Sequence, residues 1–393
     1  MPAPIYLDYN ATTPCDPAVV EAMTPFFTDH FGNASSNHAF GWAADEAVKQ
    51  ARERVAALIG AKPRTITFTS GATESLALAL LGAGAAYGGR KHHVVTVATE
   101  HKAVLSTVRM MEQDGFDVTV LPVDANGLVD LGALEDAVTD KTLLVSVMLA
   151  NNETGVIGPV AEAARIAHAQ GAFLLTDATQ AVGKIPVDVE ALGADLLALS
   201  AHKFYGPKGV GALYVRRRGP RVRLGPIVPG GGQENGLRGG TLNVPGIVGL
   251  GAAAALAAEQ LDKDEAHLER LRDRFEAGVM DQVPGVSVNG SGAPRLPNTS
   301  NLRFAGVRTA KLLPALRGVA ASTGSACQVK TSEPSHVLTA MGLSADQSFS
   351  SVRFSLGRPT TEDEVDAAVE EVARAVASVR PTRFATRTAS RAA

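Results

Sequence analysis

The chain has 393 residues, of which 45% are hydrophobic and 20% are charged, a composition typical of a soluble globular protein. Its 37 lysines and arginines against 40 acidic residues give a net charge of −3, which argues against a protein built mainly to bind a polyanion such as nucleic acid. Its two cysteines, Cys15 and Cys327, exclude a disulfide framework and fit a reducing compartment. We find neither a signal-peptide pattern nor an uncharged apolar run long enough to span a bilayer, so we expect a cytoplasmic protein without membrane contact.

Helical and strand patterns alternate from about residue 45 to residue 255. The predicted strands are 65–69, 94–98, 118–120, 143–148, 172–176, 196–199 and 211–215. The predicted helices among them are 45–59, 76–81, 103–113, 131–138 and 159–169. Repeated strand–helix–strand units predict an α/β fold with a mostly parallel sheet covered by helices on both faces. Ligands bind such sheets beyond the carboxyl ends of the strands, so the residues that follow each strand are the first candidates for a site.

The pattern changes in the last third of the chain. A long helix is predicted after Pro245, followed by a separate charged helix near 262–280, short strands, a loop and a final helix. Thr361 stands three residues before Glu364, which is a possible capping box at the start of that helix. We predict a large domain at 15–258, a smaller α+β domain formed by 1–14 with 259–377, and a basic tail at 378–393. Disorder is the expected state of this tail, and contact with RNA or an acidic partner is the alternative.

Lys203 stands directly after a predicted strand, in the run SAHK at 200–203 and just before GPKG at 206–209. A lysine at a strand end can meet a ligand bound at the rim of the sheet, and only a free amine forms an imine with an aldehyde cofactor. Most lysines are solvated instead, so this residue alone leaves both interpretations open.

Asp177 and Gln180 follow the strand predicted at 172–176. A carboxylate that faces a pyridine nitrogen keeps the ring protonated, and the protonated ring accepts electron density. The Gln180 side chain could donate to a phenolic oxygen on the same ring. The alternative is that Asp177 serves as a helix N-cap.

Three small residues, Gly71, Ala72 and Thr73, join the strand predicted at 65–69 to the next helix. Backbone amides at a helix N-terminus form an anion site, to which Thr73 adds a hydroxyl. Ser200 and His202 could converge on the same phosphate. The alternative is an ordinary strand–helix turn, which favours small residues in any protein.

His101 follows the strand predicted at 94–98 and could stack on an aromatic cofactor or pass a proton, although a lone histidine is more often structural. A phosphate cradle, a ring partner, a ring acid and an imine-forming lysine thus occur in succession at the strand ends of one sheet. The joint placement of these groups, rather than any one of them, predicts a site for an aldehyde cofactor.

Nine segments carry a resemblance to the cysteine desulfurases, the class V branch of the fold type I pyridoxal-phosphate enzymes. They are 6–14 (YLDYNATTP), 68–75 (FTSGATES), 99–103 (TEHKA), 151–155 (NNETG), 177–180 (DATQ), 200–203 (SAHK), 238–241 (RGGT), 325–327 (SAC) and 352–357 (VRFSLG). The resemblance extends in register over roughly residues 5–375. It implies a seven-stranded, mostly parallel sheet covered by helices, with a smaller C-terminal domain.

The resemblance implies that pyridoxal 5′-phosphate is the cofactor, that Lys203 binds it covalently and that His101 stacks on its ring. The other cofactor-binding residues implied are Ala72, Thr73, Asn152, Asp177, Gln180, Ser200, His202 and Thr241. Thr241 is expected to reach the phosphate bound in the other subunit of a homodimer. Arg353, together with Asn152, is expected to bind the substrate carboxylate, for which a bidentate guanidinium is well suited.

The segment STGSAC at 322–327 is similar to that of the desulfurases of housekeeping and nitrogen-fixation systems. It implies that Cys327 attacks the sulfur of L-cysteine and carries it as a persulfide while L-alanine is released. The expected acceptor is a protein such as an iron–sulfur scaffold or a tRNA-thiolating enzyme, with no direct nucleic-acid contact. No metal site is expected within one chain, although Cys327 could ligate an iron–sulfur cluster shared with a partner.

Two other kinds of function remain alternatives. One is a different reaction on the same scaffold: an aminotransferase, or a lyase that acts on selenocysteine or cysteine sulfinate. An aminotransferase would not need Cys327. The other is a non-catalytic partner protein that has kept the fold. It predicts a damaged cofactor site, whereas Lys203, Asp177 and His101 are all present.

Overall fold

The computed structural model of the chain describes residues 4–324 and 333–380. The strands are β1 (Ile5–Tyr6), β2 (Ile66–Thr69), β3 (His93–Val97), β4 (Asp117–Leu121), β5 (Thr142–Ser146), β6 (Phe173–Asp177), β7 (Leu196–Ser200), β8 (Gly211–Val215), β9 (Val286–Val288), β10 (Thr299–Phe304), β11 (Val319–Ala320) and β12 (Ser351–Ser355). The helices are α1 (Pro17–Met23), α2 (Pro25–Thr28), α3 (Ala39–Leu58), α4 (Ala72–Tyr87), α5 (Lys102–Gln113), α6 (Leu131–Ala137), α7 (Val160–Ala169), α8 (Val244–Gln282), α9 (Thr309–Ala315), α10 (His336–Ala340), α11 (Ala345–Ser348) and α12 (Glu362–Val379).

The central sheet has seven strands in the order β2-β8-β7-β6-β5-β3-β4. The strands β7, β6, β5, β3 and β4 pair in parallel, and β8 runs antiparallel to both of its neighbours. Both faces of the sheet are covered: along β3, Val94 packs among buried apolar side chains on one face and Val95 among those on the other. Burial on both faces explains why the central strands β5, β6 and β7 are mostly apolar in sequence. The predicted α/β fold class and mostly parallel sheet are confirmed.

Helix α8 is a single helix of 39 residues. The prediction of two separate helices in this region is wrong, because the sequence between Gly251 and Gly278 contains no glycine or proline that would end the helix. Its first half contributes Leu250 to the core of the large sheet, and its second half contributes Phe275 to a second core. By length and composition alone α8 could cross a membrane, but 61% of its most apolar stretch is buried inside the protein, as in a core helix.

The second core is built on the sheet β12-β10-β9 and on helices α9 and α12. The predicted capping box at Thr361 and Glu364 is present at the start of α12. The N-terminal strand β1 pairs with β11 beside this core. In keeping with the two cores, we propose 15–258 and 1–14 with 259–377 as the two domains. Because α12 extends to Val379, the predicted tail begins later than Ser378, and 381–393 lie outside the described residues.

Candidate active site

A cavity of about 540 Å³ is lined by residues that follow five strands of the central sheet, β2, β3, β5, β6 and β7. This is the edge of a parallel sheet at which ligands usually bind. Ten of the predicted site residues line it: Ala72, Thr73, His101, Asn152, Asp177, Gln180, Ser200, His202, Lys203 and Arg353. The structure thus brings together residues that are more than 280 positions apart in the sequence (353 − 72 = 281).

Lys203 ends a short 3-10 turn, Ala201–Lys203, that follows β7. Its Nζ donates hydrogen bonds to the backbone carbonyl oxygens of Asn10, at 2.6 Å, and Ala11, at 2.8 Å. Burial, reinforced by the nearby charge of Arg353, lowers the pKa of Lys203 to about 8. This is not the arrangement of a solvated surface lysine. In an appreciable fraction of the molecules, Lys203 is therefore a neutral amine near neutral pH. The neutral amine is the form that reacts with an aldehyde.

Asp177 is the last residue of β6 and is only 4% exposed. Its Oδ1 accepts a hydrogen bond of 3.0 Å from the backbone N–H of Thr179, as a capping aspartate does. It also lines the cavity, so the capping and the ligand-binding interpretations are compatible. Gln180 donates from Nε2 to the backbone carbonyl of Asn10 at 2.9 Å, and its Oε1 accepts from Lys184 Nζ at 2.6 Å. The bond from Lys184 fixes which way the Gln180 amide points.

The start of α4 has the features of an anion site. Gly71 is the N-cap, and no side chain caps the first turn of the helix. Thr73 and Ser200 line the cavity beside it. The Nδ1 of His202 lies 3.1 Å from Thr12 Oγ1, and burial, with Lys203 close by, lowers the pKa of His202 to about 4. His202 is therefore neutral at physiological pH and can act as a hydrogen-bond donor without carrying charge.

His101 is the N-cap of α5, and its Nδ1 accepts a hydrogen bond of 3.1 Å from the backbone N–H of Ala103. An acceptor role for Nδ1 places the ring proton of a neutral imidazole on Nε2. Burial lowers the pKa of His101, which favours this neutral form. A local capping bond thus sets the tautomer of a histidine that lines the cavity.

Glu100 is a buried acid that the sequence analysis did not assign. It is 1% exposed, and its Oε1 accepts a hydrogen bond of 2.5 Å from the backbone N–H of Met148. Burial, reinforced by the charge of Asp177, raises the pKa of Glu100 to about 8. The sequence gives no indication of this, because TEHKA at 99–103 does not reveal which way the carboxyl points.

Arg353, on β12, is 2% exposed. Its Nη2 pairs with Asp8 Oδ1 at 2.7 Å and donates to Ser322 Oγ at 3.0 Å, and its Nη1 donates to the backbone carbonyl of Asn152 at 2.8 Å. Its Nε has no hydrogen-bond partner among residues 4–324 and 333–380. The guanidinium is therefore held rigidly in the cavity wall while it retains donors for a further acceptor.

Two predicted site residues, Thr241 and Cys327, are not among the described residues that line the cavity. Thr241 is exposed and does not line the cavity of its own chain. Cys327 lies outside the described residues, although Gly324, the last described residue before it, does line the cavity. The described residues also contain no group of three or more histidine, cysteine, aspartate or glutamate side chains that could hold a metal ion.

Asn10 connects several of these groups and was missed as a site residue. Its backbone carbonyl accepts from Lys203 and Gln180, and its Oδ1 accepts from Lys184 at 3.2 Å and from Asn298 at 3.1 Å. The only indication in the sequence is that Asn10 belongs to the segment YLDYNATTP, which carries the family resemblance.

A family model described as "Aminotransferase class-V" matches residues 5–368. The "Cysteine desulfurase IscS" of Anaeromyxobacter dehalogenans (strain 2CP-C) is 52% identical over 381 residues, which cover 97% of this chain and 94% of the relative. The protein of the same name from Rickettsia akari (strain Hartford) is 49% identical, with 96% and 92% covered. The chain belongs to the class-V aminotransferase family and, within it, to the cysteine desulfurases. The predicted family is confirmed.

Two solved structures of other proteins share the fold. One described as "NIFS-LIKE PROTEIN" superposes with a TM-score of 0.88 at 39% identity, covering 96% of this chain and all of that one. Another, "SspA in complex with cysteine", has a TM-score of 0.81 at 38% identity, with 91% and 100% covered. The likeness extends over both cores of this cysteine desulfurase family member.

Proposed function

We propose that this protein is a pyridoxal-phosphate-dependent cysteine desulfurase that converts L-cysteine to L-alanine and collects the sulfur on Cys327. The observation that carries the proposal is the convergence of ten predicted site residues on one cavity around Lys203, whose pKa is lowered to about 8. The relatives named cysteine desulfurase, and the neighbouring structure described in complex with cysteine, support the choice of substrate.

The cavity fits pyridoxal 5′-phosphate. The uncapped start of α4, with Thr73, Ser200 and His202, would hold the phosphate, and Asp177 would pair with the pyridine nitrogen. Thr179 supports the fit, because it lines the cavity and its buried Oγ1 has no partner in the described part of the chain. When bound, the cofactor supplies an electron sink for negative charge at the substrate α-carbon.

Lys203 would bind the cofactor through its amine and, once displaced by the substrate amine, take the substrate α-proton. A base with a pKa near the working pH is effective in such a transfer, and burial gives Lys203 a pKa of about 8. His101 would cover the ring and donate from Nε2, because Nδ1 is occupied by the Ala103 N–H. Glu100, whose pKa is raised to about 8 by burial and by the charge of Asp177, would stay largely protonated near neutral pH.

Arg353 would bind the substrate carboxylate with its remaining donors, beside Asn152. Its pairing with Asp8 keeps the guanidinium fixed before the substrate arrives. A substrate bound in this way would lie in the cavity that Gly324, the last described residue before Cys327, also lines.

Cys327 would attack the substrate sulfur as a thiolate. The carbon–sulfur bond of the substrate breaks, and a sulfur–sulfur bond forms on Cys327. The carbon that loses sulfur takes up a proton equivalent to the one released by the Cys327 thiol and becomes the methyl group of alanine. L-cysteine and the Cys327 thiol thus give L-alanine and a Cys327 persulfide without an external oxidant or reductant.

The proposal includes a homodimer in which Thr241 reaches the phosphate of the partner. A group of large aromatic side chains supports a subunit interface: Phe27 (63% exposed), Phe31 (65%), Phe40 (54%) and Trp42 (60%). Exposed aromatic residues in one short stretch are typical of interfaces.

We further propose a cytoplasmic enzyme without membrane or direct nucleic-acid contact. The acceptor would be an iron–sulfur scaffold or a tRNA-thiolating enzyme.

Product analysis tests the proposed reaction against an aminotransferase. The purified protein, loaded with pyridoxal phosphate, is incubated with L-cysteine and a reductant, and alanine, sulfide and keto acid are quantified. We expect alanine and sulfide in equal amounts and no keto acid. Keto acid formed together with a transferred amine would instead establish an aminotransferase on this scaffold.

A further inference from the structure

One buried side chain, Glu153, contacts the chain on both sides of residues 325–332, the segment that contains Cys327. On the N-terminal side, Gly324 passes so close that a Cβ at this position would lie 2.5 Å from Glu153 Oε2. On the C-terminal side, Ser335 donates from Oγ to the same Oε2 at 2.5 Å. The N-terminal flank therefore packs closely beside the same carboxyl oxygen that accepts the hydrogen bond from the C-terminal flank.

Glu153 is itself held firmly in place. It is fully buried, and it lies in the turn that follows β5. Its backbone N–H donates to Asn151 Oδ1 at 2.9 Å, and its backbone carbonyl accepts from Asn301 Nδ2 at 3.0 Å. Its Oε1 has no partner within the described ranges. A buried carboxyl with a free oxygen is costly, and its position between two flanks suggests a role beyond packing.

The same flanks also adjoin the candidate active site. On the N-terminal side, Ser322 and Arg353 exchange backbone hydrogen bonds of 3.3 and 2.7 Å, and Ser322 Oγ accepts from the guanidinium. On the C-terminal side, His336 Nε2 lies 3.0 Å from the backbone carbonyl of Glu100, next to His101. A displacement of either flank would therefore move the segment relative to the residues proposed to bind substrate and cofactor.

We propose that Glu153 is a positioning residue that ties the two flanks of residues 325–332 together and thereby sets the rate of the step performed by Cys327. This inference rests on the proposed function in that it takes Cys327 as the group that attacks the substrate sulfur. A nucleophile must approach its target to about 3 Å, and a misplacement of about 1 Å can cost on the order of a hundredfold in rate.

The chemistry of the contact predicts how substitutions at Glu153 differ. Glu153→Gln keeps a carbonyl oxygen that accepts from Ser335 Oγ, so it should retain the tie. Glu153→Ala removes the acceptor and leaves a gap beside Gly324. Substitutions at Ser335 give a second series: Ser335→Ala removes the donor, and Ser335→Thr keeps a hydroxyl that also caps α10.

The rates of α-hydrogen exchange and of alanine formation, both measured in the holoenzyme, separate the step performed by Cys327 from the proton transfer that precedes it. Exchange of the substrate α-hydrogen with solvent deuterium needs Lys203 but not Cys327, whereas alanine formation needs both. In Glu153→Ala we expect alanine formation to fall about tenfold or more while exchange and KM stay within about twofold. Glu153→Gln and Ser335→Thr should behave like wild type. Ser335→Ala should resemble Glu153→Ala, and the double alanine variant should be no worse than either single variant.

Glu276→Ala is the matched control for Glu153→Ala, because Glu276 is also buried (7% exposed), pairs with Arg295 at 2.6 Å and does not line the cavity. We expect it to lower the melting temperature without changing the ratio of alanine formation to exchange. An unchanged ratio in Glu153→Ala, or an equal change in Glu276→Ala, would overturn the proposal.

Alkylation of Cys327 by iodoacetamide, followed by peptide mass spectrometry, tests the positioning without any turnover. Cys15, which is partly buried, is the reference thiol in the same sample. Released flanks should raise the Cys327 rate about fivefold or more in Glu153→Ala, through more frequent local opening, and leave Cys15 unchanged. If wild type forms no alanine, the proposed function fails and this alkylation ratio alone decides whether Glu153 anchors the flanks: an increase supports the anchoring, and no increase overturns it.

Discussion

Lys203 donates a hydrogen bond of 2.6 Å from its Nζ to the backbone carbonyl of Asn10, a residue 193 positions earlier in the chain. The turn after β1 is thereby fixed against the turn after β7. The side chain of Asn10 extends this connection to Asn298 and Thr299, near the start of β10. One amide therefore links the candidate active site to residues beside the second core.

Asn10→Ala should lower the free energy of unfolding by about 3 kcal/mol, because it removes the side-chain hydrogen bonds of Asn10 with three buried groups, Lys184 Nζ, Asn298 Nδ2 and Thr299 Oγ1. Urea denaturation monitored by circular dichroism measures the change. Thr12→Ala, in the same turn, is the control and should cost less than about 1 kcal/mol, because its hydroxyl has two hydrogen-bond partners among the described residues, Thr13 O and His202. Equal midpoints for Asn10→Ala and wild type would contradict the linking role.

The lowered pKa of Lys203 predicts the pH dependence of cofactor uptake. The neutral amine is the reactive form, so covalent uptake of pyridoxal phosphate by the apo-protein should accelerate as the pH rises and level off above about 8. Borohydride reduction and mass spectrometry of the Lys203 peptide measure the product. Arg353→Met removes a charge that lowers this pKa, so its profile should shift to higher pH. A flat profile between pH 6 and 9 would refute the assignment.

Glu100→Gln should change how stability depends on pH. The pKa of Glu100 is raised from 4.5 to about 8, so its stabilising effect is present below pH 4.5 and is lost as the pH rises towards 8. Glutamine cannot ionise and still accepts from Met148. The unfolding free energy of the variant minus that of wild type should therefore grow from pH 5 to pH 8, by a few kcal/mol, and level off above. A difference that is independent of pH would show that Glu100 has an ordinary pKa.

Thr361→Ala should lower the free energy of unfolding by about 1 kcal/mol, because it removes the side-chain cap of α12. Thr361→Ser keeps the hydroxyl and should lose no more than a few tenths of that amount. Thermal unfolding of the three proteins at one pH measures the difference. If Thr361→Ala and Thr361→Ser destabilise the protein equally, the capping box does not stabilise α12.

The sequence indicated those parts of the site that follow directly from a strand. Lys203, Asp177 and Thr73 stand at strand ends, where the parallel sheet alone predicts a shared edge. Glu153 and Glu100 could not be predicted in the same way, because their importance comes from burial and from contacts with segments remote in the chain. The helix α8 shows a similar limit: its change from apolar to charged residues reflects two different cores along one helix rather than two helices.

The most direct test of the proposed reaction is detection of a persulfide on Cys327. Wild type and Cys327→Ala, both loaded with pyridoxal phosphate, are treated with L-cysteine without reductant, and the proteins, their peptides and alanine are analysed by mass spectrometry. We expect wild type to gain the mass of one sulfur atom on the Cys327 peptide with one alanine formed, and the variant to bind cysteine but form neither product. Alanine formed at the wild-type rate by Cys327→Ala would contradict the assignment of Cys327 as the sulfur carrier.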